Sequence, residues 1–121
     1  ITQASEYKDS NEVKVVIDKF NDAMYFSREP IPSEKKGGKD FDKYKQVCVI
    51  PFRREALIEF NAMDETPLEA IESVDMMRLL ENGQKVRMIE IDEDSYSVDV
   101  QADLDKVAKL MINDALVIKY T

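Results

Sequence analysis

The chain has 121 residues, 25 Asp+Glu and 17 Lys+Arg, for a net charge of −8. It is therefore one domain or a piece of one, and its charge argues against nucleic acid and membrane surfaces as partners. It contains no histidine, so imidazole metal ligands and Ser-His or Cys-His triads are excluded and any chemistry rests on carboxylates, lysines, arginines or hydroxyls.

The opening residues, Ile1–Asp9, have neither the basic start nor the apolar core of a signal peptide. No apolar run approaches the roughly 20 residues of a membrane span. A cytoplasmic location is the expectation. Val13–Ile17 is β-branched and Ala23–Phe26 is a second apolar run, with turn-forming Asn21-Asp22 between them, which predicts a β-hairpin over 13–27. Pro30 and Pro32 keep the following backbone extended, and residues 33–43 carry Gly37-Gly38 and seven charged side chains, the pattern of a solvated, mobile loop. Tyr44–Phe52 is nearly continuously apolar and reads as a strand covered on both faces, with the lone Cys48 as a small buried hydrophobe.

A helix is expected over 53–63. A better marked one spans 66–83, where Thr66-Pro67-Leu68-Glu69 forms a capping-box start and Asn82-Gly83 a stop. Residues 85–92 read as a strand, 96–98 as a short extended piece and 101–113 as a helix with Leu104, Val107, Ala108, Leu110 and Met111 on its apolar face. Residues 114–121 suit a tail strand. The predicted order is β-β-β-α-α-β-α, the pattern of an α/β domain without its first half. There is no GxGxxG and no GxxxxGK[ST], and three glycines leave little scope for a phosphate cradle.

Four groups of residues are candidates for chemistry. Glu69, Glu72, Asp75 and Arg78 form one row across an otherwise apolar helix; the row either faces a polar cavity or is a set of helical ion pairs, Asp75 or Glu72 with Arg78. Asp99 follows an extended piece and precedes a helix, a position that suits either a Mg²⁺ ligand or an N-cap. Arg28, just past the hairpin, can offer a bidentate guanidinium to a substrate carboxylate or pair with Glu29 or Glu34. Arg53 and Arg54 share that ambiguity.

Three blocks of the sequence together resemble one family. AMYFSREPIP (23–32), TPLEAIESVDMMRLLENG (66–83) and SVDVQADLDKV (97–107) are similar to the "ALYFSRxPIP", "SPLExIExLEQLRxLxxG" and "GVDTPEDLERV" stretches of the CMP-Kdo synthetases (3-deoxy-manno-octulosonate cytidylyltransferases). That resemblance implies the C-terminal part of a Rossmann-like mixed-sheet domain of the nucleotide-diphospho-sugar transferase type. It also implies a homodimeric, Mg²⁺-dependent enzyme that couples CTP to the acidic sugar Kdo with release of pyrophosphate. It further implies Asp99 as a metal ligand, and Arg28, Asp75, Arg78 and Gln46 on the sugar side. The family's CTP-binding half, with its phosphate loop and second metal aspartate, is not among these residues. The whole of 1–121 is accordingly expected to be a single incomplete domain that is inactive alone.

The chain departs from the family where "HxGIYAYR" is replaced by Gln46–Arg53. The family's sugar-side His and Tyr become Gln46 and Ile50, the helix Gln becomes Met76, and Val100-Gln101 replaces Thr-Pro. Fewer polar groups in a sugar pocket change which hydroxyls are satisfied, so a relative of Kdo, such as an amino-Kdo or another nonulosonic acid, is an alternative substrate. A non-catalytic dimerisation module and a sialic-type cytidylyltransferase are the competing readings.

Overall fold

The computed structural model describes residues 1, 4–37, 41–92 and 95–120, which divide into two compact units, 1–91 and 92–121. In the first unit, a short helix α1 (Ala4–Lys8) precedes the hairpin of β1 (Lys14–Ile17) and β2 (Ala23–Ser27). The turn between them is built on Asp18, whose Oδ1 accepts the N–H groups of Phe20 at 2.8 Å and Asp22 at 3.0 Å. Asn21 takes the left-handed conformation at φ 63°, which Asn tolerates better than most residues. β3 (Tyr44–Lys45) pairs on the other side of β1, giving an antiparallel sheet in the order β2-β1-β3.

The sheet is mixed with helices in an α/β arrangement, but the long strand expected over 44–52 is paired only at Tyr44–Lys45. Beyond it the run leaves the ladder: Val49 is 80% exposed and Cys48 lies at the surface rather than in the core. An apolar run alone does not supply a partner strand, and here none lies beside it among the described residues. The strand expected over 85–92 is reduced to a single antiparallel bridge, Asp22 with Arg87, backed by Ala23 N–H donating to Val86 O at 2.9 Å. The loop expected over 33–43 lies partly outside the described residues.

Helix α2 (Arg54–Ala62) forms as expected, with Phe60 against Phe52 at 5.6 Å between ring centroids. The helix expected over 66–83 is instead two, α3 (Pro67–Glu72) and α4 (Met77–Glu81). The break is at Ser73, left-handed at φ 53°, across which Val74 N–H donates back to Glu69 O. It turns Val74, Met76, Met77 and Leu79, all buried, into one core with Val15 and Phe26. A continuous helix would have spread those four positions round its axis, so burial of a common face outweighs the local preference for helix. The predicted ends hold. At the start only the Glu69 half of the capping box is closed: Glu69 Oε2 accepts from Thr66 N–H at 3.2 Å, while the buried Thr66 hydroxyl has no hydrogen-bond partner. Gly83, at φ 73°, closes α4 with Gln84 N–H donating to Leu79 O at 2.9 Å.

The second unit contains α5 (Gln101–Met111) and α6 (Val117–Tyr120). α5 matches its expected range within two residues, but Leu104, Leu110 and Met111 on its apolar side remain about half exposed. The stretch 96–98 forms no strand, and the tail strand expected at 114–121 is replaced over its described part by a turn and α6. Among the described residues, no helix is long and apolar enough to cross a membrane.

Candidate functional site

Strand alternation places Tyr25 and Ser27 on one face of β2 and Phe26 on the other. Phe26 is fully buried in the core. Tyr25 and Ser27 both reach Glu72 at the end of α3: the Tyr25 hydroxyl donates to Oε1 at 3.0 Å, and the Ser27 hydroxyl lies 2.9 Å from Oε2. Burial first, and then the hydrogen bond to Glu72, push the Tyr25 phenol above its ordinary pKa.

Arg28 continues directly from this strand. Its backbone N–H donates to Glu72 Oε2 at 3.2 Å, and its guanidinium donates to three carbonyls, Glu72 O, Ser10 O and Ser73 O, each at 3.0 Å. It pairs with neither Glu29 nor Glu34. A guanidinium has five N–H groups, so one on each Nη remains unengaged. The Arg28 carbonyl accepts from Lys14 Nζ, which also donates to Asp9 O at 2.6 Å and Glu12 O at 2.7 Å. Lys14 is fully buried, and burial pulls its pKa down against the opposing pull of Asp9, Glu12 and Glu29.

Gln46 sits at the same end of the sheet. Lys14 is opposite both Ser27 and Lys45, so Arg28 and Gln46 flank Val13 from its two sides, two strand spacings or about 10 Å apart. Gln46 N–H donates to Val13 O at 2.8 Å, while its side-chain Oε1 is buried without a hydrogen-bond partner. Asp75 is exposed, two residues past the Ser73 carbonyl that holds Arg28.

Arg78 is placed differently. Its Nε and Nη2 donate to Glu69 at 2.8 and 2.6 Å, its Nη1 lies near the Phe60 and Met63 carbonyls, and its guanidinium stacks 4.5 Å above the Phe60 ring. Its partner is therefore Glu69, not the expected Asp75 or Glu72, because the break at Ser73 takes those two off its side of the helix. Met76 is buried in the core, whereas Ile50 and Gln46 are not fully covered.

Asp99 belongs to the second unit. It is exposed, and the N-cap of α5 is Val100. The capping work is done from inside the helix by Asp103, whose Oδ2 accepts the N–H groups of Asp99 and Val100, both at 3.1 Å. The N-cap reading of Asp99 is thus replaced. Its carboxylate has no hydrogen bond or ion pair among the described residues, and no group of three potential metal ligands occurs among them.

A family model described as "Cytidylyltransferase" matches residues 1–91, the extent of the first unit. The chain belongs to the cytidylyltransferase family. Curated relatives of this cytidylyltransferase chain include 3-deoxy-manno-octulosonate cytidylyltransferases from several bacteria. That of Fusobacterium nucleatum subsp. nucleatum is 41% identical over 84% of this chain and 41% of its own length. That of Solibacter usitatus is 37% identical over 91% and 44%. That of Geobacter metallireducens is 37% identical over 90% and 47%. The chain thus spans less than half the length of these relatives. A solved structure of a CMP:2-keto-3-deoxy-manno-octonic acid synthetase complexed with CTP superposes with a TM-score of 0.76 at 34% identity, over 91% of this chain and 45% of that one.

The sequence marks Glu72 as one of a row of charges and offers Arg78 as its partner; its actual donors are Tyr25, Ser27 and the Arg28 N–H. The available signal was a pair of hydroxyls at i and i+2, Tyr25 and Ser27, in a strand preceding an acidic helix. Lys14 was missed because a lysine in a β-branched run ordinarily faces solvent.

Proposed function

We propose that the chain forms the sugar side of a cytidylyltransferase joining CTP to the anomeric hydroxyl of an acidic sugar, Kdo or a relative, to give the CMP-sugar and pyrophosphate. The observation that carries this reading is the 34% identity and TM-score of 0.76 to a synthetase complexed with CTP, over 91% of the chain. In this reading Arg28 offers its two unengaged N–H groups to the sugar carboxylate, a planar match that lysine cannot make. Gln46, whose Oε1 is buried but whose side chain is only partly covered, offers its amide nitrogen to a sugar hydroxyl, and Asp75 accepts from another. Arg78 contributes by holding α3 to α4, the corner that carries Asp75. Together they fix the sugar so that its anomeric oxygen lies in line with the α-phosphate.

Asp99 suits Mg²⁺, a hard cation that prefers carboxylate oxygen, because its carboxylate is exposed and free of capping duty. When bound with the nucleotide, the ion neutralises phosphate charge and lowers the pKa of the attacking hydroxyl. The protein is further proposed to be cytoplasmic and homodimeric. An apolar Ile50 where the family has Tyr, and a Met76 withdrawn into the core where it has Gln, leave fewer polar groups for a sugar and favour one with fewer hydroxyls to satisfy, such as an amino-Kdo.

Pyrophosphate release from CTP, Mg²⁺ and Kdo tests this. The full-length protein is expected to turn over only with an acidic sugar present, and residues 1–121 alone not at all. Turnover by residues 1–121 alone overturns the division of labour, and a full-length protein inert with every nonulosonic acid overturns the activity. The second outcome favours a non-catalytic dimerisation module.

A further inference from the structure

One carboxylate joins the end of β2 to the end of α3. Glu72 receives hydrogen bonds from the Tyr25 hydroxyl, the Ser27 hydroxyl and the Arg28 backbone N–H at 2.9 to 3.2 Å. The direction at Ser27 is fixed, because its Oγ accepts from Glu29 N–H at 3.0 Å and its own proton goes to Glu72. Three donors therefore converge on a group that only accepts. The backbone of the same residue holds the guanidinium, through Arg28 Nε to Glu72 O at 3.0 Å. Ser73, left-handed at φ 53°, presents the next carbonyl to Nη2.

A negative charge beside Arg28 works against binding an anionic sugar, so what Glu72 contributes there is geometry rather than charge. We infer that Glu72 is a positioning residue for Arg28, fixing the guanidinium against the end of α3 so that its two unengaged N–H groups meet a sugar carboxylate in one orientation. The inference rests on the sugar-side reading of Arg28. Without the carboxylate, Tyr25, Ser27 and the Arg28 N–H lose their common acceptor and the strand end is free to shift. Misplacement of a positioning group by an ångström is enough to alter binding by an order of magnitude or more.

The test is steady-state kinetics of the full-length protein with CTP and Kdo. Glu72→Ala is expected to raise the KM for Kdo about tenfold and to leave that for CTP within about twofold, since only the sugar side is disturbed. Glu72→Gln is expected to bring the Kdo KM back to within about threefold of wild type. Its amide oxygen can serve the Arg28 N–H while the two hydroxyls accept from its nitrogen. In an Arg28→Ala background, Glu72→Ala should add nothing. Equal changes in both KM values, no rescue by Gln, or additivity with Arg28→Ala each overturn the inference. If Arg28→Ala leaves the Kdo KM unchanged, the sugar-side reading falls and the inference with it; if Arg28→Ala raises that KM and Glu72→Ala does not, only the inference falls. Should Glu72→Ala fail to fold, Tyr25→Phe replaces it, with an expected threefold rise, roughly, in the Kdo KM alone; a rise in both overturns the inference equally.

Discussion

Arg78 meets Glu69 through two hydrogen bonds, Nε to Oε2 at 2.8 Å and Nη2 to Oε1 at 2.6 Å, and so ties α4 back to the first turn of α3. The Glu69 side chain is 8% exposed, and its Oε2 also serves Thr66 N–H at 3.2 Å. One carboxylate thus caps α3 and anchors the far side of the Ser73 corner. Arg78→Lys keeps the charge but loses the fork and the stacking on Phe60. It is expected to lower Tm nearly as much as Arg78→Ala, by several degrees. Thermal unfolding decides it, and a Lys variant as stable as wild type contradicts the account.

Acid should weaken the first unit through two carboxylates. Hydrogen bonds from Arg78 hold Glu69 below its ordinary pKa, and those from Arg87 and Lys85 do the same for Asp22, against the opposing effect of burial. Folded pKa values below the unfolded ones, about 4.3 for Glu and 3.9 for Asp, mean that the unfolded chain binds more protons as pH falls. The stabilisation is therefore complete above that range and lost progressively below about pH 5. Urea unfolding from pH 7 to pH 3 should show the decline, with a shallower slope in Glu69→Gln plus Asp22→Asn. An unchanged slope in the double variant contradicts it.

Lys14 is the most demanding buried group. Its ammonium satisfies the carbonyls of Asp9, Glu12 and Arg28; in Lys14→Met the Asp9 carbonyl keeps the Glu12 N–H at 3.2 Å, while those of Glu12 and Arg28 lose the ammonium. Buried unsatisfied acceptors cost about 1–3 kcal/mol each, offset in part by relief of the buried charge. A net loss of about 3 kcal/mol is expected from urea unfolding. A Met variant as stable as wild type would mean that the cage is filled by water.

The hairpin, α2, the capping-box start and the Gly83 stop were legible because each depends on a few adjacent residues with defined backbone preferences. The Ser73 break was not legible, since Ser73 is no helix breaker and the corner is fixed by Arg28, 45 positions away in sequence. The apolar run at 47–52 misled for the opposite reason: β-propensity shows that residues suit a sheet, not that a neighbouring strand exists. The row of charges on 66–83 was visible, but its partners were not. With the chain bent, Glu69 faces Arg78 and Glu72 faces Tyr25 and Ser27.

Asp99 and Asp103 should separate by function. Asp103→Ala removes the acceptor for two N–H groups at the start of α5 and is expected to cost about 1 kcal/mol of helix stability. Asp99→Ala and Asp99→Asn should leave helix content unchanged, while kcat of the full-length protein falls by orders of magnitude and the Mg²⁺ requirement rises. Circular dichroism and Mg²⁺ titrations of activity measure the two effects. Near-wild-type activity of Asp99→Asn at limiting Mg²⁺ removes Asp99 from the metal site.

The most direct test of the sugar-side reading is the ratio of KM changes caused by Arg28→Ala in the full-length protein. Loss of a charged, bidentate contact predicts a rise in the KM for the acidic sugar on the order of 10–100-fold, with that for CTP changed by no more than about twofold. A neutral analogue of the sugar lacking the carboxylate should bind wild type and variant alike. Equal increases for both substrates, or none for the sugar, would contradict the assignment of this end of the sheet to the sugar acid.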